Sequence, residues 1–345
     1  MSLLAVITAF PLLRSDFMYS FPGSTPPSTS MTKSIDSSFK ISSKLSSRVE
    51  LIQKMTGYQL DTGGKKLRAL LTLSSSKLCG YTKGGRDINL AACVELIHAA
   101  TLMHDDVIDN ASVRRNKKTL NTIWGNKSSI LVGDYLLSRC FEMMVEDGSL
   151  EILKLLSSTS AEIAQGEVLQ LQHHGETDML EETYLKIISL KTAALFSAST
   201  KVGGILADKD SKHKEALEFY GKNLGLTFQI ADDALDYNSE LKLFGKKIGN
   251  DFFEGKVTLP IILLYQRSSD KEKKYLKKIF EKPNRDEMEF KNILSSIKKY
   301  QIINECYKKA EYFINLASNS LSIFEESKEK QILKNLTSFS IQRNF

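Results

Sequence analysis

The residues with the clearest chemical potential are His104-Asp105-Asp106-Val107-Ile108-Asp109, with Arg114-Arg115 close behind. The spacing predicts a helix, on which Asp105 and Asp109 share a face and Asp106 flanks them. Carboxylates this close repel one another unless a cation sits among them. Oxygen-only donors suit Mg2+ better than Zn2+. The same spacing returns 127 residues later as Asp232-Asp233-Ala234-Leu235-Asp236. One acidic triplet could be a solvated helix face. Two of identical spacing, each set in apolar sequence, point to metal binding.

Cations accompany both triplets. Gly63-Gly64-Lys65-Lys66-Leu67-Arg68 places two glycines and three cations at a predicted helix start, a combination that suits phosphate but also describes a basic turn. Arg114 and Arg115 could pair with the carboxylates or clamp phosphate oxygens. Lys191-Thr192 and Gln229 interrupt apolar helices. A glycine-rich basic loop, Gly245-Lys246-Lys247-Ile248-Gly249-Asn250-Asp251 and then Glu254-Gly255-Lys256, follows the second triplet. Together these supply the positive charge that two Mg-diphosphate groups need. His98 alone in an apolar helix reads more simply as a core residue. His104-Asp105 would suit a metal phosphohydrolase of the HD type, but only His98, His173, His174 and His213 remain to complete such a site. The second triplet would then go unexplained. His173-His174 reads as a polar helix end.

The elements that must position these groups are helical. The 345 residues, 42% hydrophobic and 26% charged with only 6 Pro, have globular, helix-leaning composition. Helices are expected over 34–58, 67–78, 88–103, 128–147, 150–172, 178–207, 212–238, 256–268, 271–281, 286–299, 301–320 and 328–340, and no strand alternation appears. The run Ile88–Met103 is apolar on all sides, so it is expected in a core, delivering the first triplet to a cavity. Residues 1–33 differ: an apolar opening precedes a Ser/Pro/Gly-rich stretch without a positive n-region. They are expected to be a disordered, targeting or misassigned leader. The net charge of +6 lacks the clustered, aromatic-interleaved basic footprint of nucleic-acid binding, and the Lys-rich stretch 271–309 reads as a wet helical surface. Cys79, Cys93, Cys140 and Cys306 form no CxxC pair, which argues against a disulfide framework or zinc site and fits a reducing compartment. No apolar run has the length of a membrane span.

In combination these motifs resemble the trans-isoprenyl diphosphate synthases, most of all the long-chain, octaprenyl-type enzymes of quinone side-chain synthesis. The resemblance runs from about residue 34 to the C-terminus. Gly63–Ala69, Glu95-Leu96-Ile97-His98, both aspartate motifs, Gly133-Asp134-Tyr135-Leu136, Gly166-Glu167, Lys191-Thr192, Phe228-Gln229 and Gly255–Pro260 carry it. It implies an all-α, single-domain helical bundle around a central cavity, with 34–345 as the catalytic domain. It also implies a Mg-dependent prenyltransferase adding isopentenyl diphosphate repeatedly to an allylic diphosphate. By that resemblance Asp105, Asp109 and Asp232 bind up to three Mg2+, supported by Asp106, Asp233 and Asp236. Arg114, Lys191, Thr192, Gln229, Lys246 and Lys256 complete the allylic site. Lys65, Arg68, His98 and Arg115 hold isopentenyl diphosphate. The family usually has Arg at Lys66, Pro at Ala69 and Gly at Asn116; no metal ligand is lost.

Product length is expected to depend on the helical turn preceding Asp105. Thr101 and Ala100 there are small, where short-chain relatives carry a bulky aromatic, so an open tunnel and a long product of about C40 are expected. Phe141, Met143 and Met144 are candidate floor residues. A shorter-chain synthase, a terpene cyclase and a non-catalytic partner subunit are the alternatives. The resemblance further implies a homodimer, with peripheral membrane contact for product release. A cytoplasmic location is expected, or an organellar matrix if residues 1–33 are a presequence.

Overall fold

The computed structural model describes residues 47–61, 66–238 and 248–341. The leader, Gly63-Gly64-Lys65 and Lys246-Lys247 lie outside them. The fold is all-α. Its helices are α1 (Glu50–Asp61), α2 (Leu67–Leu78), α3 (Arg86–Ile108), α4 (Leu120–Trp124), α5 (Asn126–Asp147), α6 (Leu150–Gln172), α7 (Glu181–Ile188), α8 (Ala194–Leu206), α9 (Ser211–Asp236), α10 (Asn250–Glu254), α11 (Leu259–Arg267), α12 (Asp270–Phe280), α13 (Glu287–Lys299), α14 (Ile302–Ser320) and α15 (Lys328–Ile341). Among the described residues, none is long and apolar enough to cross a membrane.

The described residues form two compact units. One runs to Ser157 and adds Ser199–Lys214; the other comprises Ser158–Ala198 and the chain from Glu215. In the first unit α3 packs against α2 and α5. Leu90, Leu96, Ile97, Ala100 and Met103 of α3 are buried beside Leu70, Leu71, Leu136 and Met144. A helix buried around so much of its circumference has no solvent face on which to lose order. All four cysteines are free and buried.

A short hairpin, missed by the sequence reading, follows α3. Val113–Arg114 (β1) pairs antiparallel with Lys117–Lys118 (β2). Its loop, Arg115 (φ 51) and Asn116 (φ 61), is left-handed at both residues. Two-residue hairpin loops of this kind demand positive φ twice, and asparagine adopts it more readily than most residues.

The core of the second unit gathers Tyr184, Ile187, Ile230, Phe252, Leu259, Ile262, Phe280 and Phe290. The stretch expected as one helix over 178–207 begins only at Glu181 and contains a π-helical turn, Ser189–Ala193. The helix expected from residue 256 starts at Leu259, where Thr258 is extended and a proline occupies the first turn. Both α12 and α13 begin in reciprocal capping boxes, Ser269 with Glu272 and Asp286 with Glu289. The Asp286 carboxylate accepts the Glu289 N–H at 2.8 Å. Replacing Asp286→Ala is expected to remove about 1 kcal/mol of stability, measured as a lower denaturant midpoint at unchanged slope.

Candidate active site

The first unit brings Arg68, Glu95, His98, the first aspartate motif and Arg114-Arg115 onto α2, α3 and the hairpin. Asp106 is buried, and its Oδ1 accepts the Arg114 Nε–H at 2.8 Å. Burial pushes the Asp106 carboxyl up from its usual value, and the Arg114 guanidinium opposes that rise. Asp105 is half-buried, and Asp109, also half-buried, is the C-cap residue of α3. Within the triplet, only the middle residue is withdrawn into the fold.

His98 is half-buried. Its pKa lies well below the ordinary imidazole value, first because of burial and then because Arg68, Arg115 and Arg114 repel a second positive charge. It is therefore a neutral imidazole beside three guanidinium groups, with a ring N–H to donate. Glu95 is the counter-charge that tempers this cluster, and its attraction holds Arg115 charged against burial. Its Oε1 also accepts the backbone N–H of Ala69 at 3.1 Å, in the first turn of α2.

The proposed length-determining residues separate. Ala100, Met143 and Met144 are buried, Thr101 is half-buried with its Oγ1 donating to the His98 carbonyl at 2.9 Å, and Phe141 is 43% exposed. Phe141 therefore differs in burial from Met143 and Met144. It stands on the outer face of α5 with Leu131 and Val145, 67% and 65% exposed. His104 packs onto Gly133, where an added Cβ would come within 2.4 Å of its Nε2.

The second unit holds the other motif. Asp232 is exposed. Asp233 is buried, receiving the Tyr184 hydroxyl on Oδ2 at 2.7 Å and Gln229 Nε2 on Oδ1 at 2.7 Å. Gln229 in turn accepts the Thr192 hydroxyl at 2.8 Å. Burial pushes Asp233 up to about 7, with its two hydrogen bonds opposing the shift. Asp236 takes the backbone N–H groups of Gly249, Asn250 and Asp251 at 3.0, 3.1 and 2.9 Å. It thus caps α10, and those three bonds counter the upward pull of burial on its pKa.

Lys191 and Thr192 sit on the π-helical turn, a local irregularity common at functional positions. The Lys191 ammonium reaches Glu167 Oε1 at 2.5 Å and Gln170 Oε1 at 2.9 Å, both on α6. Gly166 makes this approach possible, because a Cβ there would lie 2.6 Å from the Lys191 backbone nitrogen. Lys256 follows the turn at Gly255, its ammonium 2.8 Å from Glu254 Oε2. Tyr184, Glu95 and the backbone donors at 249–251 had no assigned role in the sequence reading. A buried tyrosine usually needs a partner for its hydroxyl, and that was the available signal for Tyr184.

The polyprenyl synthetase family model matches residues 49–297. The chain belongs to this family, the trans-isoprenyl diphosphate synthases. It is a prenyltransferase. The synthase is 36% identical over 296 residues to an all-trans-nonaprenyl-diphosphate synthase (geranyl-diphosphate specific) of Rhodobacter capsulatus, covering 86% of this chain and 90% of that one. It is 34% identical to the octaprenyl diphosphate synthase of Escherichia coli, covering 86% and 91%. The crystal structure of a Caulobacter crescentus polyprenyl synthase complexed with calcium and isoprenyl diphosphate superposes with a TM-score of 0.84 at 38% identity, covering 88% of this chain and 93% of that one.

The synthase's low His98 pKa has a measurable consequence. The unfolded imidazole takes up a proton near pH 6.5 while the folded one does not, so His98 costs nothing above that pH and destabilises progressively below it. Relative to a His98→Gln variant, the parent is expected to lose about 1.4 kcal/mol between pH 7.5 and 5.5, read from denaturant titrations at the two pH values.

Proposed function

We propose that this synthase condenses isopentenyl diphosphate repeatedly onto an allylic diphosphate primer, depends on Mg2+, and releases an all-trans polyprenyl diphosphate of about C40 of the kind used for quinone side chains. The observation that carries this reading is the division within both aspartate triplets. Asp106 and Asp233 are buried and held by Arg114, Tyr184 and Gln229, while Asp105, Asp109 and Asp236 are half-buried and Asp232 is exposed.

That division fits Mg2+. Among the described residues, no group of three or more acidic, His or Cys side chains is assembled into a closed metal cage. Mg2+ is commonly held by one or two carboxylates with substrate phosphates and water completing the shell. Asp105 and Asp109 in the first unit, and Asp232 in the second, are the carboxylates that would each hold Mg2+. When bound, the metal offsets the negative charge that grows on the departing diphosphate.

The side chains divide the remaining work. Arg68, His98 and Arg115 bind the isopentenyl diphosphate, with Lys65 beyond the described residues. Neutral His98 donates one ring N–H without adding charge to a cluster already rich in it. Lys191, Thr192, Gln229 and Lys256 bind the allylic diphosphate, again with Lys246 beyond the described residues. Arg114 joins them. Its bond to Asp106 uses only Nε, and a guanidinium carries five N–H donors. These donors are oriented before substrate arrives, so they stabilise the leaving diphosphate with little reorganisation. The allylic C–O bond breaks, the isopentenyl double bond attacks the allylic cation, and the proton lost from the adduct passes to the released diphosphate.

Incubation with isopentenyl diphosphate, an allylic primer and Mg2+ tests this, with products sized by chromatography. Chains near C40 are expected, elongation is expected to stop when EDTA removes the metal, and Asp105→Asn is expected to lower kcat at least 100-fold. A cyclised product, or no product, sinks the reading. Thr101→Phe and Ala100→Phe are expected to shorten the chain. Full-length product from both would remove the tunnel from the account.

A homodimer is supported by the outer face of α5, where Leu131, Phe141 and Val145 expose apolar surface along one stripe. Phe141→Glu is expected to shift the species seen by analytical ultracentrifugation from twice the chain mass toward one chain mass; a parent that already sediments as a monomer removes the dimer.

A further inference from the structure

The turn that presents Lys256 is held by two side chains that stand outside every motif above. α10 is only Asn250–Glu254, too short to persist on its own hydrogen bonds. Its last carbonyls are therefore acceptors in need of outside donors. Arg285 gives Nη1 to the Phe253 carbonyl at 3.3 Å, and Nη2 to the Phe280 carbonyl at 2.9 Å. His174 gives Nε2 to the Glu254 carbonyl at 2.8 Å, across 80 residues of sequence. A cation and an N–H donor thus cap two consecutive carbonyls at the negative end of the helix.

The next residue is moulded to the same pair. Gly255 is left-handed, at φ 78, and a Cβ on it would lie 2.5 Å from Arg285 Nη2 and 2.8 Å from His174 Cε1. Only a glycine can pass between these groups in this conformation. The Lys256 N–H then returns to the Asp251 carbonyl at 2.8 Å, closing the turn. The guanidinium is itself fixed, lying 5.2 Å from the Phe280 ring centroid. The direction in which Lys256 leaves the turn is set by groups from the segments just after α6 and just before α13.

We propose that His174 and Arg285 are positioning residues for the allylic diphosphate: they fix the Phe253–Lys256 turn so that the Lys256 ammonium meets the primer's phosphate oxygens, without touching substrate themselves. This rests on the reading of Lys256 as a primer ligand.

The test is steady-state kinetics of the full-length enzyme with each substrate varied in turn, on Lys256→Ala, Arg285→Met, Arg285→Lys, His174→Leu and His174→Gln, together with Lys256→Ala/Arg285→Met. Arg285→Met and His174→Leu are expected to raise the KM for the primer about tenfold, leaving the KM for isopentenyl diphosphate within twofold. Arg285→Lys and His174→Gln, which keep a donor, are expected to recover most of the loss. Arg285→Met is expected to add nothing once Lys256 is gone. Lys256→Ala with an unchanged primer KM overturns the Lys256 assignment. An effective Lys256→Ala, with Arg285→Met and His174→Leu leaving the primer KM unchanged or raising both KM values equally, overturns the positioning role. Should Arg285→Met fail to fold on a thermal scan, the exposed His174 pair decides.

Discussion

Like charge crowded at a helix end is the constraint from which the site's construction follows. A carboxylate taken out of water without partners is costly, and neighbouring carboxylates add to that cost. The chain meets it with three different kinds of partner. Asp106 has a cation, Arg114; Asp233 has two neutral donors, Tyr184 and Gln229; Asp236 has a row of backbone N–H groups. The electrostatic result differs accordingly, and with only neutral donors Asp233 is pushed up to about 7 by burial. Each of these three aspartates is also a joint. Asp106 ties the hairpin to α3, Asp233 ties α7 and the π-helical turn to α9, and Asp236 ties α10 to the end of α9. The charges left exposed are then presented by elements that the buried ones hold in place.

The π-helical turn serves the same end by different means. An inserted residue in a helix changes which side chains share a face, and here the irregular stretch carries Lys191 and Thr192 together. Lys191 turns to Glu167 and Gln170 on α6, while Thr192 turns to Gln229 on α9. One turn therefore reaches two helices. The close approach at Gly166 leaves no room for a side chain where α6 crosses the Lys191 backbone.

Much of this was legible in residue types and spacing. The α2 boundaries follow from the apolar run between the basic turn and Gly80, and the burial of α3 follows from a run with no polar face. What was hidden had no local signal. A two-residue strand cannot show alternation, so the hairpin at Val113–Lys118 was invisible although its Arg115-Asn116 loop was in view. A π-helical turn changes hydrogen bonding without changing composition. The backbone donors that bind Asp236 belong to no side chain, and their action depends on a left-handed Gly249. Phe141 is a different case. Two residues from Met143, at 100° per residue, it points about 200° away, so helical geometry alone parts those two; Met144, three residues on, is its neighbour along the helix and differs in burial instead.

The backbone at Asn116, Lys66 and Ala69 is informative for the same reason. Asn116 takes φ 61, so the hairpin loop has its left-handed turn without a glycine. Lys66, also left-handed at φ 42, precedes α2 as its N-cap residue. The Ala69 N–H is what Glu95 accepts, a bond that only a residue other than proline can supply. Glu95 is in turn the negative charge that favours a charged Arg115. In this chain the first turn of α2 is thereby coupled to the arginine cluster through a carboxylate on α3.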